Sequence, residues 1–268
     1  MSSEGSSSRG VARSFDGAAI HYAVWGSRGP VVMLLHGWCC NQDFWRPQIE
    51  SLSNRRRIVA IDLPGHGLST PTSRRQWSME AFGADAKAVA DAIGADRLAL
   101  VGHSMGGAAA LEAALQLGPR CAFVLGVDTF TDAAFYRRRA RVEIQARLRR
   151  FADDFPGAME TMVRQITSDG AERDVVNWIV GAMAGAEPQV ALPVLDALLT
   201  WDIEARWPLL PCSAETINSA VLAENGEQLA LPGLAVHGMD AVGHFPMLEA
   251  PERFDALLLA ALARHGFA

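Results

Sequence analysis

The chain has 268 residues, of which 50% are hydrophobic and 20% charged, enough for one large domain with a sizeable buried core; disorder and a peptide-sized module are both excluded. With 24 Lys and Arg against 30 Asp and Glu, the formal net charge of −6 argues against nucleic acid as a partner. The longest clean apolar stretch, residues 256–263, falls well short of the roughly 18 residues a membrane span needs, so none is expected.

Residues 1–13 are expected to form a flexible tail. Its first ten positions are rich in Ser and Gly and lack the apolar segment behind a basic start that marks a secretion signal. The four cysteines offer neither a disulfide framework nor metal spacing, since Cys39 and Cys40 are adjacent and Cys121 and Cys212 sit in apolar runs. That usage fits a reducing cytoplasm.

The stretch 14–26 carries an Asp16-Gly17 turn followed by alternating apolar residues, the pattern of a hairpin entering a sheet. Four short apolar runs follow, at 31–35, 58–61, 98–101 and 122–127, separated by amphipathic stretches that predict helices at 43–52, 79–93 and 105–117. Strands buried on both faces and alternating with helices predict an α/β fold with a parallel, doubly covered sheet. From 129 to 207 no strand-like run occurs, while 136–151, 157–167, 172–184 and 188–199 all permit helix. Strand signals resume at 212–217 and 234–236, and 251–264 reads as a closing amphipathic helix. The expected organisation is a tail (1–13), a core built from 14–128 and 208–268, and a helical lid inserted at 129–207.

The run 98–107 places Ser104 between Gly102 and Gly106, directly after a predicted buried strand and before a predicted helix. That is the context of a nucleophile elbow, where a sharp turn projects a serine above the sheet and the helix N-terminus faces developing negative charge. Of seven histidines, His244 stands on a loop after the last strand and before the last helix, at the carboxyl edge where Ser104 also emerges; His237 is the fallback. His36 and His66 read as loop-fixing residues, and His103 is expected to point away from the site. Asp128, at the end of the strand after the serine's helix, is the first choice for the acid that orients the imidazole. At the next strand end Asn218 and Ser219 offer no carboxylate, and Glu215 and Glu224 lie off the tip.

The backbone amides of Trp38 and Met105 are the expected oxyanion donors. Trp38, Phe130, Phe135, Trp178 and Trp201 are candidates for the apolar lining of the substrate pocket, with Trp207 a further one. The arginines at 137–139, 141, 147, 149 and 150 fall on one predicted helix with Glu143 and read as a solvated face. No phosphate-binding glycine loop, dinucleotide fingerprint or metal-ligand spacing is present in the sequence, so neither cofactor nor metal is expected.

Taken in order, His36-Gly37-Trp38, the segment 62–69 (DLPGHGLS), the segment 102–107 (GHSMGG) and Gly243-His244-Phe245-Pro246 with Pro251-Glu252 resemble the α/β-hydrolase superfamily over residues 14–128 and 208–266. The resemblance implies a mostly parallel eight-stranded sheet and a Ser-His-acid mechanism whose acid follows either of two strands. Placement of the acid at Asp128 resembles a subgroup that includes esterases and lactonases. Cofactor-free dioxygenases that open N-heteroaromatic rings share it, and their Trp-Cys pair is similar to Trp38-Cys39. In those enzymes a histidine follows, where this chain has Cys40. The expected function is therefore hydrolysis of a carboxylic ester or lactone of a small molecule with an apolar part, through an acyl-enzyme. The alternatives are a cofactor-independent dioxygenase and a non-catalytic small-molecule receptor on the same fold.

Overall fold

The computed structural model of the chain describes residues 7–27, 29–54, 56–220 and 227–267. Glu224 and the first six residues of the expected tail lie outside them. Strand β1 (Ser8–Arg13) runs antiparallel to β2 (Ala19–Trp25) across the Asp16-Gly17 turn, where Gly17 takes a φ of 84°. Residues 8–13 of the expected tail 1–13 are therefore a strand. The polar sequence of β1 hid the strand, because β1 lies at the sheet edge and most of its residues face solvent.

The remaining strands are β3 (Val31–Leu35), β4 (Arg57–Asp62), β5 (Leu98–His103), β6 (Cys121–Val127), β7 (Ser213–Ser219) and β8 (Ala235–Met239). They form an eight-stranded sheet in the order β1-β2-β4-β3-β5-β6-β7-β8, parallel from β4 to β8. All five residues of β3 and all six of β5 are buried, as both-face coverage requires. Helices α1 (Arg46–Leu52), α2 (Met79–Ala92) and α3 (Met105–Leu117) connect the strands, α2 packing on α3 and α1 on the closing helix α11 (Pro251–Arg264). Each fully buried Leu, Ile or Val in these strands contributes about 1.5–3 kcal/mol.

Between β6 and β7 the chain makes α4 (Ala133–Tyr136), α5 (Arg141–Ala152), α6 (Phe155–Ile166), α7 (Arg173–Ala184), α8 (Pro188–Thr200) and α9 (Ile203–Arg206); α10 (Pro246–Glu249) follows β8. The single helix expected over 136–151 is two. Asp132 caps α4 by accepting the amide of Ala134, and α5 starts again at Arg141 with Glu143 reaching back to the Ala140 amide. Among the described residues no single helix is long and apolar enough to cross a membrane.

Register brings the functional segments to one edge. Leu35, Gly102, Gly126, Thr216 and Val236 share one rung across β3, β5, β6, β7 and β8. Two residues further along, Gly37, Ser104, Asp128, Asn218 and Gly238 reach the carboxyl ends of their strands, and the loop after β8 carries His244 back over that edge.

Candidate active site

Ser104 has φ 52° and ψ −119°, a left-handed backbone that a non-glycine residue adopts only under local constraint. The constraint comes from its neighbours. Its N–H donates to Val127 O at 2.9 Å, and the Thr129 hydroxyl donates to its carbonyl at 3.0 Å. A Cβ at Gly102 would stand 2.2 Å from Gly106 O, and one at Gly106 would stand 2.4 Å from Leu35 O, so only glycine lets strand, helix and loop close up around the serine.

Ser104, Asp128 and His244 line one cavity of about 240 Å³. His244 Nδ1 lies 2.5 Å from Asp128 Oδ2, while Asp128 Oδ1 accepts the amide of Ser219 at 2.7 Å. Asp128 is only 2% exposed and also takes a positive φ of 48°, with its own N–H donated to Ile217 O. The tip of β7, which carries no acid, thus supplies the amide that orients one. Asn218 braces the loop after Asp128, accepting from the Thr129 amide and donating to the Thr131 hydroxyl. Among the described residues the His244 ring is hydrogen-bonded to Asp128 and not to Ser104 Oγ.

His244 is fixed through its backbone from three directions. Its N–H donates to Ile166 O at the end of α6, 2.6 Å away. Its carbonyl accepts Nε2–H of His103 at 2.7 Å. On either side the amides of Gly243 (2.8 Å) and Phe245 (3.1 Å) donate to the Glu249 carboxylate, which also accepts the amide of Ser168 at 3.0 Å. His103 therefore does not point away as expected. Its ring lies 4.8 Å from that of His244, burial holds it well below the usual imidazole range, and its buried Nδ1 has no hydrogen-bond partner among the described residues.

The loop after β3 is held as the sequence predicts. His36 Nδ1–H donates to Gly37 O and Nε2 accepts the Leu63 amide, a tautomer kept neutral because burial lowers its pKa to about 4. His66 packs beside it, held down at about 3 chiefly by burial. Asp62 accepts from the Gln42 and Leu68 amides and ties both loops to β4. Among the described residues no protein acceptor takes the N–H of Trp38 or of Met105. The Trp38 indole donates to Ala191 O in α8, 2.8 Å away, and so reaches the inserted helices.

Of the five aromatic candidates, Trp38 and Phe135 line the cavity. The other three do not. Phe130 is buried against Trp207, Trp178 packs on Phe44 while 40% exposed, and Trp201 turns its indole N–H to the buried Glu112. Single aromatic residues carry no signal of which side of a helix they will occupy. The missed residue is Tyr136, which lines the cavity with its hydroxyl facing Thr129 and Ser104. Burial pushes that phenol up, so it stays protonated and can donate. Cys40 also lines the cavity, where the dioxygenases have histidine; burial raises its thiol too far for it to act as a base. His237 pairs with Glu215 at 2.7 Å, outside the cavity.

A family model described as alpha/beta hydrolase fold matches residues 30–173, more than half of the chain. The chain belongs to that family. Among relatives, it is 30% identical to a pimeloyl-[acyl-carrier protein] methyl ester esterase of Methylococcus capsulatus, over 86% of this chain and 94% of that protein. It is 30% identical to the magnesium-chelatase 30 kDa subunit of Rhodobacter capsulatus, over 62% of this chain and 68% of that protein. Among solved structures, a thermophilic esterase from Thermogutta terrifontis superposes with a TM-score of 0.79 at 21% identity, over 96% of this chain and 99% of that one, a likeness of fold.

Proposed function

We propose that this α/β hydrolase cleaves a carboxylic ester or lactone with Ser104 as nucleophile, His244 as general base and acid, and Asp128 as the orienting carboxylate. The observation that carries the reading is the 2.5 Å contact of His244 Nδ1 with buried Asp128, in the cavity that also holds the strained Ser104. His244 Nε2 takes the hydroxyl proton as Ser104 Oγ bonds to the carbonyl carbon. The amides of Trp38 and Met105, free of protein acceptors, hold the resulting oxyanion. Collapse expels the alcohol oxygen, which takes the proton from His244; water then repeats the sequence on the acyl-enzyme with His244 again as base. The methyl ester esterase of Methylococcus capsulatus named above supports the ester class. The helical segment 129–207 acts as a cover in this reading, because Met162 and Ile166 of α6, Met183 of α7, and Leu195 and Leu198 of α8 give the cavity an apolar wall suited to an apolar acyl or alcohol part.

Ser104→Ala is expected to abolish both turnover of short methyl and p-nitrophenyl esters and labelling by a fluorophosphonate probe, with an unchanged melting temperature. Turnover that survives the substitution refutes the assignment.

A further inference from the structure

Next to the catalytic cavity lies a second one of about 540 Å³. The two share Trp38, Phe135, Met162 and Leu195 in their walls, so an apolar sleeve continues from the Ser104 side into the second space. Its far wall differs in kind. Arg147 and Arg150 of α5 stand on it together with Phe151, on one face of the helix by their spacing, and the wall holds no acidic residue.

Most of the arginines around them are neutralised. Arg137 pairs with Glu204 and Glu227, Arg139 with Glu143, Arg141 with Asp196 and Arg164 with Glu160. Among the described residues Arg147 and Arg150 have no carboxylate partner. Arg147 is half-buried, lies over the Phe135 ring at 5.0 Å and donates to Ala134 O at 3.0 Å, which fixes the stem and leaves the rest of the fork to the cavity. Its guanidinium is drawn below the usual range, first by loss of water and then by Arg139, with Arg150 acting in the same direction against Asp132 and Glu143. Two cations one helical turn apart, the half-buried Arg147 and the exposed Arg150, neither of them held in an ion pair among the described residues, stabilise an anion placed between them. The solvated face expected from the sequence holds for the exposed Arg150, while Arg147 is half-buried.

We propose that the second cavity binds an anionic group, a carboxylate or a phosphate, carried by the substrate away from its scissile carbonyl, with Arg147 and Arg150 as its partners. The substrate class is thus an ester whose apolar chain runs along Trp38, Phe135, Met162 and Leu195 and ends in negative charge. This rests on the hydrolytic reading for turnover but not for binding.

The test separates the two. In the Ser104→Ala protein, calorimetry measures binding of monomethyl esters of straight-chain dicarboxylic acids from five to ten carbons, against methyl esters of the monocarboxylic acids of equal length. A third set ends in a phosphate monoester. The anionic ligands are expected to bind at least tenfold more tightly than the neutral ones at one chain length, and the better of carboxylate and phosphate identifies the source of the charge. Arg150→Gln and Arg147→Gln, each in the Ser104→Ala background, remove that preference and leave neutral-ester binding within twofold; Arg147→Lys restores part of it. In the otherwise wild-type enzyme the same arginine variants raise KM for the anionic esters about tenfold with kcat little changed. Equal binding of anionic and neutral ligands at every length, or equal loss for both in the variants, overturns the proposal. Preferential binding without turnover by the wild-type enzyme leaves the anion site standing and refutes the hydrolytic reading instead.

Discussion

Replacing Asp128 with asparagine removes one charge and keeps the shape of the side chain. The fold should tolerate it: asparagine accepts the φ of 48° found there, and its amide oxygen still receives the Ser219 N–H now bound at 2.7 Å. The chemistry should not. With charge centres about 4 Å apart and an effective dielectric of about 20, Asp128 stabilises the His244 imidazolium by about 4 kcal/mol. At 1.36 kcal/mol per decade that is a loss of about 10³ in kcat. An amide N–H facing Nδ1 also favours the tautomer with the proton on Nε2, the wrong one for a base, which raises the loss toward about 10⁴. The assay is ester turnover followed beside a calorimetric melt. A fall in kcat of less than tenfold, with the melting temperature unchanged, would show that Asp128 is not the orienting acid.

Four further outcomes follow from the same geometry. Glu249→Gln weakens the hydrogen bonds from Gly243, Phe245 and Ser168; a loss of about 2 kcal/mol lowers Tm by about 4–8 °C, and kcat should fall as the His244 loop loosens, so a variant with both values intact contradicts the clamp. Gly102→Ala places a methyl 2.2 Å from Gly106 O and should destabilise by more than about 3 kcal/mol, so soluble protein with the wild-type melting point argues against the elbow geometry. Tyr136→Phe removes the hydroxyl facing Ser104 and should lower kcat while the melting point holds; identical kinetics would leave Tyr136 as wall alone. Burial opposes ionisation of Glu215, but hydrogen bonds from Arg264, His265 and His237 outweigh it and hold the carboxyl at about 2. Because that value is depressed, its stabilisation is complete above the unfolded pKa of about 4.3 and fades as pH falls through 2, so the Tm gap between wild type and Glu215→Gln should close over that window; a gap unchanged by pH refutes the linkage.

The elements legible in the sequence are those whose signal is local. Helix α3 begins and ends where Gly-flanked Ser104 and Gly118-Pro119 place it, and the buried strands β3, β5 and β6 read as continuous apolar runs because both faces are covered. The sequence order of Ser104, Asp128 and His244 sufficed to bring them to one edge, since parallel register carries strand ends to a common rim. The missed features depend on what a side chain or amide meets across the fold. His103 was judged by its neighbour in sequence and missed its long-range bond to His244, 141 residues away. Glu249 carries no local signal of its role, because its three amide partners come from two separate loops. Residue type alone does not place Phe130, Trp178 and Trp201, and packing puts each outside the cavity.

The inserted helices are joined to the site through the backbone as well as packed above it. Ile166 at the end of α6 receives the His244 amide, Ser168 just beyond it shares the Glu249 carboxylate with the His244 loop, and Ala191 in α8 receives the Trp38 indole N–H. A shift of α6 or α8 relative to the sheet must therefore break or drag a hydrogen bond to His244 or to Trp38. Buried hydrogen bonds cost about 1–3 kcal/mol each to leave unmade, so such a shift is opposed unless a ligand replaces the lost contacts. On the proposed reading, a chain laid along Trp38 and Leu195 toward Arg147 would touch α5, α6 and α8 at once and so bridge the helices that bond to His244 and Trp38. The hydrogen bonds at Ile166, Ser168 and Ala191 in this way tie the inserted helices to the loops that carry His244 and Trp38, so a displacement of α6 is felt at the His244 loop and one of α8 at the Trp38 loop.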